Sequence, residues 1–308
     1  MPRLPRRRNL PSFGTFSRLV PQTLVPNKPV PKEPSVDLVP AHIKRPPYAR
    51  TGQVPEWPTE IPTLGTEEIK RLRRASHLAR DALALGGSLV KAGVTTEEID
   101  LAVHRFIVER GGYPSCLNYM GFPKSICTSV NNIIAHGIPD QRRLVAGDMI
   151  NLDVTVYLDG FHGDTSAMFC VEHVDEPGQL LIDVTREALD LAIQLCGPGV
   201  PFKAIGDAIE DLAGQHGFSV SADLTGHGVG KEFHQNPLIF HHRNDEPGEM
   251  APGMAFTIEP ILCQGSADSL MWPDGWTIST TDGGRSAQYE HTVVVTQDGV
   301  DVLTAPDT

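Results

Sequence analysis

The sequence predicts an α+β fold in which helices cover one face of a curved β-sheet. Three observations support this prediction. Two regions have the periodicity of paired amphipathic helices, each pair is followed by residues of strand character, and the second half of the chain repeats the pattern of the first. Because the helices take one face of the sheet, we expect the other face to be open to a ligand.

The first 62 of the 308 residues differ in composition from the rest. They hold 14 of the 26 prolines, and no acidic residue precedes position 33, whereas seven Lys and Arg do. An arginine-rich start without acidic residues is typical of an organellar transit peptide, although a disordered basic tail has the same composition. We therefore predict a transit peptide and extended proline-rich leader over residues 1–62 and a folded domain over residues 63–308.

Charge and cysteine content exclude several classes of protein. Residues 63–308 carry 16 Lys and Arg against 34 Asp and Glu, which argues against nucleic acid as a direct partner. No apolar run approaches 18 residues, so no membrane span is predicted. Five cysteines without paired CxxC spacing argue against a disulfide framework and against a cysteine-rich zinc site.

The first helix pair opens the folded domain. Helical spacing of apolar residues begins at Thr66, and a second helix begins at Thr95, where Glu98 completes a capping box. The pair Gly111-Gly112 stops the second helix. The two apolar stripes are formed by Ile69, Leu72, Ala75, Leu78, Ala79 and Ala82, and by Ile99, Ala102, Val103, Phe106 and Ile107.

The second helix pair matches the first at an offset of 106 residues. We predict helices over residues 180–195, after Pro177, and over residues 202–213. The matched positions include an entry glycine, the buried stripe and a terminal glycine, which indicates an internal duplication, although two amphipathic helices can also match by chance. The matched pairs are Gly93 and Gly199, Ile99 and Ile205, Ala102 and Ala208, Val103 and Ile209, Phe106 and Leu212, and Gly111 and Gly217.

A β-hairpin over residues 149–169 lies at the centre of the chain. Asp159-Gly160, between two runs rich in β-branched and aromatic residues, is a strong signal for a type I′ turn. In the register set by this turn, Asp153 and Asp164 lie on one face as diagonal neighbours, roughly 7–8 Å apart. They are either two solvated carboxylates or half of a metal site.

The remaining strands carry two more carboxylates. Glu259 and Glu290 both stand in strongly apolar segments, where a charge is costly unless it is paired or bound to a metal. Each one alone is more often an edge-strand or salt-bridged residue. The strands are predicted over residues 125–130, 253–263, 277–279, 288–296 and 300–303.

Histidines complete the candidate site. His227 lies between glycines in TGHGVGKEFH, His234 follows seven residues later, and His136 lies between an apolar run and a turn. Four carboxylates and one histidine on strands or strand ends suit two divalent ions, which a bridging carboxylate can hold about 3.5–4 Å apart around a shared hydroxide.

Five segments together resemble the type I methionine aminopeptidases, whose pita-bread fold is a pseudo-twofold duplication. They are VNNIIAHGIP, INLDVTVYLDGFHGDTS, GHGVGKEFHQNP, FTIEP and SAQYEHTVVVT, and the resemblance covers about residues 64–304. It implies a dinuclear site bridged by Asp164 and Glu290, with Co, Mn, Fe or Zn as the metal. The ligands it implies are Asp153, Asp164, His227, Glu259 and Glu290.

The resemblance also implies the substrate-binding residues. His136 and His234 match the two substrate-contacting histidines of the family, and Glu259 matches the ligand that also transfers a proton. Phe122 stands where many members have tyrosine, which removes a hydroxyl but keeps the ring. The methionine pocket is matched by Cys116, Tyr119, Phe122, Cys127, Phe233 and Trp276.

We therefore expect residues 63–308 to form a metal-dependent aminopeptidase of a mitochondrion or plastid. It would remove the initiator methionine co-translationally from polypeptides whose second residue is small. The expected partners are nascent N-termini beginning with Met and the organellar ribosome, and the chain is expected to be a monomer. Two alternatives remain open. A pita-bread Xaa-Pro peptidase shares the five ligands, and the methionine pocket argues against it. A non-catalytic homologue is recognised by lost ligands, and all five are present.

Overall fold

The computed structural model describes residues 38–54, 56–57 and 59–305. Within these residues it contains four α-helices and fifteen strands, which confirms the α+β class. The helices are α1 Thr66–Ser88, α2 Thr96–Glu109, α3 Glu176–Leu195 and α4 Lys203–Gln215. The strands are β1 Tyr113–Pro114, β2 Cys127–Val130, β3 Ile133–Ala135, β4 Met149–Leu158, β5 Phe161–Cys170, β6 Ser219–Val220, β7 Gly226–Gly228, β8 Gln235–Ile239, β9 Ala255–Ile258, β10 Ile261–Cys263, β11 Ser269–Met271, β12 Ile278–Thr280, β13 Ser286–Gln288, β14 Glu290–Val295 and β15 Val300–Val302.

The strands form three antiparallel sheets rather than one. A nine-stranded sheet has the order β1-β4-β5-β14-β9-β7-β8, with β2 also paired to β4 and β15 to β14. Two three-stranded sheets, β13-β10-β6 and β11-β12-β3, accompany it. In the part of the chain that is described, no helix is long and apolar enough to cross a membrane.

The central hairpin has the predicted register. Thr155 pairs with Asp164 and Asp153 pairs with Ser166, so the two aspartates share a face of the sheet. The turn residues Asp159 and Gly160 have φ angles of 55° and 91°, as a type I′ turn requires. The hairpin prediction is confirmed.

The helices of the first half pack on the opposite face of that hairpin. Leu152, Val154 and Val156 alternate with the face of Asp153 and lie in one apolar cluster with residues of α1 and α2. Gly163 allows α1 to come close to β5, since a β-carbon there would overlap the backbone nitrogen of Ser76. The hairpin therefore has an apolar helix-covered face and a face that carries its carboxylates.

The predicted duplication is visible in backbone geometry. Helix α2 ends at Glu109 and α4 at Gln215, which is the 106-residue offset. The entry glycines Gly93 and Gly199 have φ of 88° and 79°, and the terminal glycines that follow the helices, at positions 111 and 217, have φ of 80° and 74°. These left-handed conformations favour glycine, so the repeat of glycines has a structural reason. The same offset carries Asp153 onto Glu259.

Several predicted boundaries need correction. Helix α3 begins at Glu176, not after Pro177, because Asp175 caps it and proline is tolerated in the first turn. The predicted strand 253–263 is two strands separated by Glu259-Pro260, where the Glu259 N–H donates to His241 Nε2 at 3.0 Å instead of to a strand. The predicted strand 288–296 is likewise interrupted at Tyr289.

The interruptions are the points at which strands change sheets. Strand β9 belongs to the nine-stranded sheet and β10 to a small one, while β14 belongs to the nine-stranded sheet and β13 to the small one. Such breaks form the corners of packed sheets. Both corners lie at carboxylates that the sequence named, Glu259 and Glu290.

The described part of the predicted leader packs on the domain. Val39, Ile43, Tyr48 and Ala49 are buried in one apolar cluster with residues of the methionine pocket. Residues 1–37 of the leader lie outside the described residues.

Candidate active site

One cavity of about 310 Å³ brings the predicted site together. All thirteen residues that the sequence named as metal ligands, substrate-contacting histidines or methionine-pocket residues line it. The cavity therefore joins the carboxylate cluster directly to the aromatic pocket. Seven further lining residues were not predicted as site residues: Trp57, Met120, Ala135, Asp223, Leu224, Thr225 and Gln288.

The carboxylates converge because their strands are neighbours. Strand β14 lies beside β5, with Glu290 opposite Ser166 and therefore diagonal to Asp164. Ligand atoms of Asp164, His227 and Glu290 all lie within 4.8 Å of one another, and all three side chains are buried. Strand β9, whose end carries Glu259, pairs with β14 on its other side. Three neighbouring strands thus present carboxylates to the same cavity.

The His227 imidazole is oriented toward the carboxylates. Its Nδ1 lies 3.2 Å from the Gly228 carbonyl oxygen, which can only accept, so Nδ1 donates and Nε2 carries a free lone pair. Nε2 lies 3.5 Å from Glu259 Oε1 and 3.8 Å from Asp164 Oδ2. A second hydrogen bond that fixes the tautomer in this way is usual for a metal-binding histidine.

Side chains next to the ligands hold the carboxylates in position. Thr155 Oγ1 donates to Asp164 Oδ1 at 2.6 Å, and Thr257 Oγ1 donates to Glu259 Oε1 at 2.7 Å. Gln288 Nε2 donates to the other Glu259 oxygen at 3.2 Å. The sequence analysis did not name these three supporting residues. Strand alternation gives a signal for Thr155 and Thr257, which stand two positions from a ligand on the same face.

Four buried carboxylates that repel one another favour the binding of a cation. Burial raises the pKa of Asp153 to about 7. Burial is also the largest cause that holds the pKa values of Asp164, Glu259 and Glu290 well above their usual range. Mutual repulsion adds to this, with Asp153 raising the pKa of Asp164 and Asp164 raising those of both glutamates. The positive charge of divalent ions would lower these pKa values again. Carboxylate oxygens and one imidazole nitrogen are ligands that such ions accept. The residues therefore fit a divalent metal centre.

The pocket beside the carboxylates is built from rings and thiols. The Phe122 and Trp276 rings meet edge to face at 5.1 Å, and the Tyr119 and Phe233 rings lie 4.7 Å apart. Cys116 and Cys127 are free thiols, and both are buried. Its hydrogen bond with Cys116 and, as the second cause, its burial raise the pKa of the Cys127 thiol well above its usual range. The pocket is therefore apolar and polarizable, with neutral sulfur atoms.

The two histidines predicted to contact the substrate are neutral. Burial lowers the pKa of His136 to about 4 and holds that of His234 well below its usual range. His234 Nδ1 lies 2.7 Å from the Tyr119 hydroxyl, and burial raises the pKa of that hydroxyl well above its usual range. The hydroxyl remains protonated, and when it donates to Nδ1 the imidazole carries its proton on Nε2. His234 can therefore donate a hydrogen bond from Nε2.

Comparison with known proteins agrees with this site. The model of metallopeptidase family M24 matches residues 70–297. The mitochondrial methionine aminopeptidase 1D of Danio rerio is 52% identical over 266 residues, which are 86% of this chain and 79% of that protein. The chloroplastic methionine aminopeptidase 1B of Arabidopsis thaliana is also 52% identical, over 87% of this chain and 72% of that protein. The methionine aminopeptidase structure from Rickettsia prowazekii aligns with a TM-score of 0.78 and 42% identity, covering 80% of this chain and all of that one.

The chain therefore belongs to metallopeptidase family M24, which confirms the predicted pita-bread fold and the use of divalent metal. Within that family it is a methionine aminopeptidase of the type I, organellar form, as its relatives of mitochondria and plastids show. The predicted enzyme class and the prediction of a mitochondrion or plastid are confirmed at this level.

Proposed function

We propose that the chain removes the initiator methionine co-translationally from organellar polypeptides whose second residue is small. The observation that carries this proposal is the single cavity in which a carboxylate-rich centre adjoins a pocket of aromatic rings and thiols. A thioether side chain makes favourable contacts with aromatic rings and sulfur, so the pocket suits methionine. The proposed substrates are N-termini beginning with Met, presented by the organellar ribosome to a monomeric enzyme.

We assign five residues to a dinuclear centre with Co, Mn, Fe or Zn as the metal. Asp164 and Glu290, on adjacent strands, are proposed to bridge the two ions, and Asp153, His227 and Glu259 to complete the centre. When bound, such ions would lower the pKa of a water molecule and so supply a nucleophile near neutral pH. We assign Asp153 to the side that receives the free amine of the substrate, which restricts removal to the first residue.

The remaining chemistry falls to residues of the cavity. Glu259 is proposed to accept the proton of the attacking water and to pass it on, with its orientation held by Thr257 and Gln288. His234 is proposed to donate from Nε2 to the carbonyl oxygen as that oxygen gains negative charge. His136, in the same cavity, is proposed to hold the leaving amide nitrogen or the carbonyl that follows.

We propose residues 63–308 as the catalytic domain and an import function for the leader. The acid-free, arginine-rich start supports import into a mitochondrion or plastid. Because residues 38–54 pack on the domain, we assign the targeting signal to the residues ahead of them. A fluorescent fusion of residues 1–62 should enter an organelle, and a fusion that stays in the cytosol would contradict this assignment.

A substrate panel tests the proposed activity. We expect metal-loaded protein to cleave Met-Ala-Ser, to cleave Met-Leu-Ser at least tenfold more slowly, and to leave Ala-Pro-Ser intact. Loading with Co, Mn, Fe and Zn in turn identifies the supporting ion. Cleavage of Ala-Pro-Ser in preference to Met-Ala-Ser would favour the Xaa-Pro peptidase, and no cleavage with any of the four ions would favour the non-catalytic alternative.

A further inference from the structure

The segment before the catalytic domain is attached to the substrate cavity at Tyr48. The Tyr48 side chain is 2% exposed, and its hydroxyl donates to the Ser115 carbonyl oxygen at 2.6 Å. Its ring meets the Tyr119 ring edge to face, with centroids 5.0 Å apart. Nearby, Asn118 Nδ2 donates to the Ala49 carbonyl oxygen at 3.0 Å. These contacts fix the segment against the wall that carries Tyr119.

Further along the same segment, Trp57 reaches the cavity itself. Its ring is nearly parallel to that of His234, with an interplanar angle of 5° and centroids 6.3 Å apart, and it lines the cavity. The Trp57 residue is nevertheless 40% exposed, and Met120, which also lines the cavity, is 64% exposed. An apolar rim of this kind at a cavity mouth is typical of a surface that contacts a ligand.

We propose that Trp57 is a specificity-determining residue that contacts the substrate segment following the scissile bond. The inference rests on the proposed function, in which the first residue fills the enclosed pocket and His234 binds the scissile carbonyl. The rest of the substrate must then leave past the histidine on which Trp57 stacks. The exposed indole face offers an apolar surface to a peptide plane or to an apolar side chain at the third residue.

Tyr48 is the positioning residue for this arrangement. Tyr119 links Tyr48 to His234, since its ring packs on Tyr48 and its hydroxyl is hydrogen-bonded to His234 Nδ1. The segment thus reaches the same histidine twice, directly through Trp57 and indirectly through Tyr48 and Tyr119. The part of the chain predicted to be a proline-rich leader therefore reaches the substrate cavity.

A comparison of short and extended substrates tests the proposal in the full chain. For Trp57→Ala we expect kcat/KM for Met-Ala-Leu-Ser to fall about three- to tenfold, as loss of one aromatic contact does. Cleavage of methionine amide, which has nothing beyond the scissile bond, should stay within twofold. Trp57→Phe should keep most of the activity on the long peptide. Leu38→Ala is the matched control, since Leu38 is 57% exposed on the same segment and does not line the cavity.

Substrate preference of the unaltered protein gives a second test that does not depend on a variant folding. We expect Met-Ala-Leu-Ser to be cleaved at least threefold faster than Met-Ala-Asp-Ser, and Trp57→Ala to reduce that preference. Equal losses on methionine amide and on the long peptide would overturn the proposal, because they indicate a purely structural role. The proposal would also be overturned if Trp57→Ala kept the full preference for Met-Ala-Leu-Ser over Met-Ala-Asp-Ser. Unaltered protein that cleaves neither substrate would instead contradict the proposed function.

Discussion

The two halves of the molecule hold their carboxylates in different ways. In the first half, Asp153 and Asp164 stand in one unbroken hairpin with strands of ten residues and a two-residue turn. In the second half, Glu259 and Glu290 stand where strands leave the main sheet for a smaller one. The first pair is positioned by a continuous backbone ladder, whereas the second stands at breaks in the ladder.

Side-chain hydrogen bonds support one carboxylate in each half, since Thr155 Oγ1 donates to Asp164 in the first half and Thr257 Oγ1 donates to Glu259 in the second. The Glu259 carboxylate accepts from Thr257 and Gln288, and its N–H donates to His241. Among the described residues, no side chain donates a hydrogen bond to the Asp153 carboxylate, and burial is the cause that raises its pKa to about 7. The duplicated scaffold therefore places its carboxylates on a continuous strand ladder in one half and at strand breaks in the other. Variants in matched positions of the two halves can test whether they contribute equally.

The two residues proposed to bridge the ions, one from each half, should give the largest effect. We expect both Asp164→Asn and Glu290→Gln to abolish turnover, because each weakens contacts to two ions at once. Asp159→Asn in the same hairpin is the control, since that carboxylate lies in the exposed turn and pairs with Arg74. Turnover and bound metal are measured together. Activity within tenfold of the unaltered protein, with two ions bound, would contradict the bridging role.

The two histidines proposed to contact the substrate also come from different halves and should give similar, smaller losses. We expect His136→Ala and His234→Ala each to lower kcat by roughly 10²–10³, as loss of one oriented donor does. Tyr119→Phe should lower it less, because the imidazole stays and only its tautomer is released. Single-turnover rates and metal content are the measurements. A histidine variant that loses one of two ions would show that histidine to be a ligand.

A side chain added where a helix packs closely on a strand or a loop should destabilise the two halves equally. A β-carbon at Gly163 would overlap the backbone of Ser76, and one at Gly206 would overlap the His242 carbonyl. We expect Gly163→Ala and Gly206→Ala each to lower the free energy of unfolding by about 1–3 kcal/mol. Gly214 in α4 has open space around it, so Gly214→Ala should raise stability by about 0.5–1 kcal/mol. Thermal unfolding of the three variants decides this, and equal midpoints would contradict the packing argument.

The smallest effect should appear in the pH dependence of the metal-free protein. The pKa of Asp153 is about 7 when folded and about 4 when unfolded, so the folded state binds more protons between these values. Its contribution to stability therefore falls as pH rises from about 4 to 7. Without metal, Asp153→Asn should gain stability relative to the unaltered protein between pH 5 and pH 8. With metal, the variant should be the less stable one, because it has lost a ligand. If the difference in unfolding midpoint between Asp153→Asn and the unaltered metal-free protein did not change with pH, the predicted burial would be contradicted.

The sequence predicts the structure of the first-half hairpin better than the strand breaks of the second half. The Asp159-Gly160 turn is a local signal that determines register, so Asp153 and Asp164 were correctly expected on one face. The run around Glu259 alternates continuously, and its break depends on Pro260 and on a distant acceptor, His241. Strand β7 consists of two glycines around His227, a composition that strand propensity disfavours.

Contacts between distant segments could not be predicted at all. Trp57 stands in a proline-rich stretch without helical or strand periodicity, and its stacking on His234 arises only when the chain folds back over the domain. The Tyr119 hydroxyl bond to His234 joins residues 115 positions apart. The five predicted ligands came from the family resemblance, because periodicity alone left these residues ambiguous, and the structure places all five in one cavity.

The central claim is that four carboxylates and one histidine hold two divalent ions that support methionine removal. Its most direct test is a metal titration of the metal-stripped protein, with bound metal and cleavage of Met-Ala-Ser measured at each point. We predict no activity without metal and a rise to full activity that ends at two bound ions per chain. Full activity in metal-free protein, or saturation with no ion bound at these five residues, would contradict the account.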